Sequence, residues 1–367
     1  MSRIHRTKDK LAKLTDMLQA GGTLLLVMQD NPDPDAIASA AALRELANSM
    51  ANVSCLLAYG DSIGRAENRE LAHYLSLKFH RFSELKRQQY DLVALVDTQP
   101  GTGNNPLPAG FVPDIIIDHH PIRRATRSAH FTDVRSHYGA TSTILWEYLS
   151  AAKIAPEMPL ATALLYGIRS DTQDLGREST KADIEAMEAL YPLANKRMLG
   201  QIQRGRVPAT YYQILATALT RSNLYGSCAI TDLGDVDNPD MIGEVADLLL
   251  RHEKVRWTLC YGFHDGRDPA SRESRLLLSL RTQDTRRRAD DIMRRIVHQI
   301  GTGGGHTTMA GGQIPIHPDR DRHSERARIE RLIRQRLLRA LRATHRRAVQ
   351  LVQLPAKSKA ISRFGIQ

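Results

Sequence analysis

VMQDNPDPDAIAS, residues 27–39, ends one apolar run and begins another of different period. The run before it, TLLLVM at 23–28, is short and uniformly apolar, as a strand buried on both faces must be. The run after it, AIASAAALRELANSM at 36–50, is dense in alanine and leucine and reads as a helix. Between them two prolines stiffen the chain and place Asp33 and Asp35 at the helix entrance. Two carboxylates on such a turn can each give an oxygen to a divalent ion, although helix capping and turn chemistry also favour aspartate there.

The same pattern recurs outward along the chain. VSCLLAY at 53–59, DLVALVD at 91–97 and PDIIID at 113–118 read as further buried strands. Separated by helical segments, they predict a mostly parallel sheet with flanking helices, covered on both faces, whose ligands gather at the carboxyl ends of the strands. Asp97 closes one strand; Asp118, His119 and His120 close the next; Asp171 ends the helical run at 159–171. Carboxylates and imidazoles collected at one sheet rim favour a transition metal over an all-oxygen Mg²⁺ site, with enough ligands for two ions. Two such ions activate water and clamp a phosphoryl group, so phosphate-ester hydrolysis is the natural chemistry.

The 367 residues, 42% of them hydrophobic, suffice for two cores. Helical patterns at 140–153 and 181–193 complete a first domain at 12–195, and a helical connector follows at 196–221. A second, smaller α/β domain at 222–316 is read from strands at 226–233, 255–263 and 275–282 and helices at 239–253 and 287–300. The remainder, 317–367, carries a basic amphipathic helix over 322–352 and a poorly ordered end, PAKSKAISRFGIQ. The apolar stripe of that helix fits packing on its own chain or in a homodimer, and its arginines fit an RNA-gripping arm. A formal charge of +11 points to anionic partners. Cys55, Cys228 and Cys260 have no pairing or metal spacing and fit a reducing cytoplasm. No apolar stretch approaches the length of a membrane span, and the basic N-terminus lacks a signal-peptide core; Leu11, Leu14 and Leu18 there form one stripe of a surface helix.

NPDPDAIAS (31–39), VDTQP (96–100), DHHP (118–121) and SDT (170–172), in that order, resemble the motifs of the DHH phosphoesterase superfamily. GGGHTTMAGG (303–312) resembles its DHHA1 accessory domain, and the whole is most similar to the bacterial oligoribonuclease and 3'-phosphoadenosine-5'-phosphate phosphatase branch. The resemblance implies two divalent ions, Mn²⁺ by preference with Mg²⁺ tolerated. Asp33 and Asp97 would hold one ion, and Asp35, Asp97, His119 and Asp171 the other, with a metal-bridging hydroxide as nucleophile. His120 would touch the scissile phosphate or assist the leaving oxygen, and Asp118 would orient its neighbours. Arg281 and the loop of Gly303, Gly304, Gly305 and His306 would hold the substrate's phosphate or nucleotide. One departure concerns Gln29, which stands where the family has a histidine ligand, so the first ion is expected to be held more weakly or to tolerate Mg²⁺. The implied activity is hydrolysis of short RNA oligonucleotides or dinucleotides, with 3'-phosphoadenosine-5'-phosphate as a further substrate. The alternatives are a cyclic-dinucleotide phosphodiesterase and a non-catalytic nucleotide- or RNA-binding protein.

Overall fold

In a computed structural model the described residues are 3–19, 22–176, 179–265, 274–284, 286–316, 322–343 and 347–352; the C-terminal PAKSKAISRFGIQ lies outside them. The chain divides into two compact units at Val207 and Pro208.

The first unit runs α1 (Arg3–Gln19), β1 (Thr23–Val27), α2 (Pro34–Ala51), β2 (Ser54–Tyr59), α3 (Ala66–Leu75), β3 (Phe79–Arg81), β4 (Leu92–Val96), β5 (Ile115–Asp118), β6 (Phe131–Val134), α4 (Thr141–Ala151), α5 (Met158–Asp171), α6 (Lys181–Leu190) and α7 (Lys196–Ile202). Its six strands are ordered β3-β2-β1-β4-β5-β6 and every pairing is parallel. The order reverses between β1 and β4, and the loops leaving those two strands diverge to open a crevice there. Alternate β1 side chains serve different cores: Leu24 and Leu26 join the helices, while Leu25 and Val27 face the opposite side. That opposite side is covered by Phe82, Leu85, Leu107 and Phe111 from connecting segments, and among the described residues no α-helix contributes to it. β3 and β6 escaped the sequence analysis because three- and four-residue edge strands carry too little apolar pattern to register.

Leu11, Leu14 and Leu18 of α1 are buried in the main core, so this helix packs as an integral layer. A polar network beneath it holds Arg135, whose guanidinium contacts the Asp133 carboxylate at 2.7 Å and the Glu147 carboxylate at 2.6 Å, with Thr7 of α1 also accepting from it. Tyr148 donates to Asp133 at 2.8 Å. A buried ion pair with every donor satisfied is tolerated, but losing one partner strands the others in low dielectric.

The second unit runs α8 (Ala209–Arg221), β7 (Asn223–Tyr225), β8 (Cys228–Asp235), α9 (Asp240–Leu250), β9 (Trp257–Asp265), β10 (Ser274–Thr282), α10 (Ala289–Val297), β11 (Thr302–Gly305), β12 (Met309–Pro315), α11 (Arg322–Ala340) and β13 (Val349–Gln350). Its sheet, β11-β12-β10-β9-β8-β7-β13, is antiparallel except for β8 with β9. α8 and α9 cover one face, and α10 and α11 the other. α11 buries Ile329, Ile333 and Leu337 in this core, which settles where the apolar stripe of the basic helix packs. The helix stops at Ala340, short of the expected 352. Arg342 takes a left-handed φ of 52° while its N–H donates to Arg339 and that of Ala343 to Leu338, a Schellman ending usually built on glycine. With arginine there the turn costs about 1 kcal/mol.

Replacing Arg135 with alanine is expected to destabilise the first unit by about 3 kcal/mol, measured by urea unfolding. A variant as stable as the parent would show that the network holds nothing in place.

Candidate metal centre

Each side chain of the acidic cluster is held by a local device that follows from its position in the chain. Asp33 is the N-cap of α2, its carboxylate accepting the Ala36 N–H at 2.9 Å. Asp35, in the first turn of α2, is fully buried and accepts the N–H groups of Thr141 and Ser142 at 2.7 and 2.8 Å, at the N-terminus of α4. Those amides have no partner within their own helix and carry its positive end, so a carboxylate is favoured there. Gly167 makes this approach possible: a Cβ on it would lie 2.5 Å from Ser142 Oγ and 3.1 Å from the Asp35 Cα. Asp97 follows β4 with φ 60°, a strained conformation for a side chain, and accepts the Thr141 hydroxyl at 2.8 Å. Asp171 lies at the C-terminal end of α5, the end that disfavours a negative charge.

His119 joins these elements. Its Nδ1 donates to the Tyr138 carbonyl at 3.1 Å, which leaves Nε2 directed at Asp171 Oδ2, 3.0 Å away, and Asp97 Oδ1, 3.7 Å away. A backbone carbonyl fixing one ring nitrogen so that the other can act as a ligand is the usual arrangement in metal sites. Asp118, buried beside it, accepts the N–H groups of His119 and His120, His120 Nδ1 at 2.7 Å and the Gln99 amide at 2.5 Å. The His120 ring is thereby locked 3.7 Å from Asp97 Oδ1.

Two overlapping ligand groups result, Asp97 with His119 and His120, and Asp35 with His119 and Asp171. Donors about 2.1 Å from one ion and at right angles to each other lie roughly 3 Å apart, as His119 Nε2 and Asp171 Oδ2 do. Asp33 belongs to neither group, yet its carboxyl senses both Asp171 and Asp35. Gln29 Nε2 donates to both the carbonyl and Oδ2 of Asp97 at 3.0 Å, so the amide presents hydrogens to the carboxylate and its oxygen is turned away.

Burial and mutual repulsion set the electrostatics of the cluster. Burial, then the charges of Asp171 and Asp35, push the Asp33 carboxyl up to about 7. Burial and the neighbouring aspartates likewise raise Asp35 and, further, Asp97. Burial opposes charge on His119, but the Asp171 hydrogen bond and the surrounding carboxylates overcome it and raise the imidazole to about 10. Asp118 shifts the other way: burial would raise it, but His120 holds it well below the usual carboxylate range. Protons and divalent cations relieve the same repulsion, so the two compete for these carboxylates. The donor set fits two divalent ions.

Several residues that position this centre were invisible in the sequence. Thr141 and Ser142 lie in GATST, whose placement before an apolar run marks a helix start but does not reveal which carboxylate the start receives. Gln99, in VDTQP, gives no sign of its contact with Asp118.

The second unit holds the other residues named from sequence. Gly303, Gly304 and Gly305 form strand β11 of a hairpin with β12, so the expected loop is confined to residues 306–308. A Cβ on Gly303 would meet Met293 at 2.8 Å, and one on Gly312 would meet its sulfur at 2.6 Å; the glycines let α10 pack directly on the hairpin. The carbonyls of His306 and Thr307 cap α10 by accepting the Asp290 and Ala289 N–H groups. Arg281 is anchored through Nε to Asp247 at 2.7 Å and through Nη1 to the Leu280 carbonyl.

A model of the DHH family N-terminal domain matches residues 24–168, and a DHHA1 domain model matches residues 226–334. The chain has the DHH and DHHA1 domain architecture. It is 34% identical over 319 residues to the uncharacterized protein MJ1633 of Methanocaldococcus jannaschii, covering 86% of this chain and 63% of that one. Over 178 residues it is 28% identical to a probable manganese-dependent inorganic pyrophosphatase of Lactobacillus gasseri, covering 46% of this chain and 54% of the relative. The chain therefore spans less than two thirds of either relative. A crystal structure of an exopolyphosphatase-related protein from Bacteroides fragilis shares the fold with a TM-score of 0.62 at 13% identity, over 91% of this chain and 97% of the other. Among the described residues no helix is long and apolar enough to cross a membrane.

Linkage sets the sign of a pH test. A carboxyl or imidazole raised on folding contributes stability that is lost as pH climbs through its folded value. The metal-free DHH unit should lose stability from about pH 4 upward through about 7, the range Asp33 spans between its unfolded and folded values, and His119 extends the loss to higher pH. Manganese at about 100 times its dissociation constant adds about 2.7 kcal/mol. Its increment in Tm is expected to be larger at pH 8 than at pH 5.5; equal increments in differential scanning fluorimetry would contradict proton–metal competition.

Proposed function

We propose that the chain is a metal-dependent phosphoesterase that hydrolyses short RNA oligonucleotides or dinucleotides, with 3'-phosphoadenosine-5'-phosphate as a further substrate. The observation that carries this reading is the set of carboxylates raised by burial and by one another around His119 Nε2 at the switch point of a parallel sheet. Asp33, Asp35, Asp97, His119 and Asp171 are the residues that would hold two divalent ions, Mn²⁺ by preference. The ions supply charge neutralisation of a phosphoryl oxygen and an acidified water. The name of the Lactobacillus gasseri relative supports manganese.

The chain's own contribution is positioning. Asp118 fixes the His120 ring through Nδ1, which leaves its other nitrogen to meet the scissile phosphate or the leaving oxygen. Thr141 holds Asp97 in one orientation, so ligand geometry is set before substrate arrives. In the DHHA1 unit we assign Arg281 and the hairpin of Gly303, Gly304, Gly305 and His306 to holding a phosphate or nucleotide. A second reading, a nucleotide- or RNA-binding protein without turnover, draws on one observation: Gln29 donates to the carboxylate that two ions would share.

The test is product release from 5'-phosphorylated RNA dinucleotides and from longer RNA, with manganese and magnesium supplied separately and pyrophosphate as a comparison substrate. Metal-dependent mononucleotide release, fastest on the dinucleotide, is expected. Asp97→Ala should lose more than the roughly 10- to 100-fold typical of residues that only support a ligand, and Asp118→Asn should fall within that range. Binding of dinucleotide without turnover in either metal would favour the second reading, and release confined to pyrophosphate would replace both.

A further inference from the structure

The DHHA1 unit holds a second concavity whose chemistry is opposite to that of the metal centre. Its volume is about 330 Å³, at the lower end of the roughly 300–1,000 Å³ range of small-molecule sites. Arg256, Arg286, Arg287 and Arg342 line it, with Asp284 as the one carboxylate. Four positive charges against one negative leave the wall at +3.

Little within the protein relieves that charge. Asp284 is engaged by Arg286 at 3.0 Å, and Arg287 donates to the Ala340 carbonyl. Arg256 and Arg342 have no carboxylate partner among the described residues. The pocket is also built from segments held in place for reasons other than charge. Gly226, with φ 62°, turns the β7–β8 hairpin under it, and the Ser227 carbonyl accepts the N–H groups of Arg256 and Trp257. Trp257 and Tyr225, nearly buried, form the floor with Leu341 on one side. Arg342 enters from the end of α11 in a left-handed conformation that favours glycine. Arg342 thus stands where the backbone prefers glycine, on a wall shared with three other arginines; it, Arg256 and Arg286 are exposed and open to an anion from solvent.

We propose that this pocket binds the phosphate of a nucleotide, with guanidinium groups converging on an anion whose planar forks suit phosphate oxygens. None of its residues belongs to the glycine hairpin, to Arg281 or to the metal centre. The site stands on the pocket's charge and shape, so it is independent of whether the metal centre turns over.

The experiment is isothermal titration of the full chain, in EDTA, with AMP, inorganic phosphate and adenosine. AMP is expected to bind, phosphate to bind more weakly, and adenosine not to bind. Arg256→Ala should weaken AMP at least about 10-fold. Arg342→Gly is the more telling variant, because glycine suits the left-handed turn. Its thermal stability should hold or rise while AMP affinity falls by a similar factor. Hydrolysis of a small chromogenic phosphodiester by the manganese-loaded protein should stay unchanged in both variants. Wild-type AMP affinity in Arg256→Ala and Arg342→Gly, absence of AMP binding in EDTA, or loss of that binding in Asp97→Ala would each overturn the proposal.

Discussion

Asp33, Asp35, Asp97 and Asp171 crowd the His119 imidazole in a space largely closed to water, and the first unit is organised around making that crowding tolerable. The parallel order of the sheet brings the loop after β1 and the end of β4 to the same crevice. The N-terminus of α4 stabilises Asp35, the α2 cap occupies Asp33, and a strained backbone turns Asp97 inward. Each device handles one carboxylate; none removes the net negative charge. A divalent cation does, and the tautomer that Tyr138 imposes on His119 gives it a nitrogen ligand.

Much of this was legible in the sequence because the information was local. A short apolar run ending in aspartate marks a buried strand and its rim residue together, so Asp97 and Asp118 declared their places. The parallel pairing of β1, β4 and β5 was expected from their uniformly apolar runs, and the family resemblance supplied the candidate ligands. What stayed hidden was non-local. Asp35 meets Thr141 and Ser142 across more than a hundred residues, and periodicity carries no trace of that pairing. The glycines at 303–305 read as a loop because a strand of glycines has no side-chain pattern; what they supply is room for Met293. The apolar stripe of the basic helix fitted its own chain or a second subunit equally until Ile329, Ile333 and Leu337 were found in the core. The cover on both faces followed from the continuous apolar strands, which do not specify that it be helical; connecting segments close the second face.

The two units present opposite charge problems. The DHH unit gathers carboxylates beyond what its buried neighbours can balance, and the DHHA1 unit gathers guanidinium groups around a pocket with one carboxylate. Phosphate-bearing ligands connect these chemistries, because a metal-loaded carboxylate cluster and an arginine pocket both attract them. Gln29 is the point where the chain departs from the motif it resembles: it donates to Asp97 Oδ2, an oxygen that two ions would otherwise share, so two ions would be held unequally.

Electron paramagnetic resonance during titration of the metal-free protein with Mn²⁺ tests the central claim most directly, because two ions about 3.5 to 4 Å apart are magnetically coupled. The account predicts two bound ions per chain, taken up in unequal steps, with the signal of the first altered when the second arrives. A single uncoupled ion, or no uptake beyond that of a protein lacking Asp97, would contradict it.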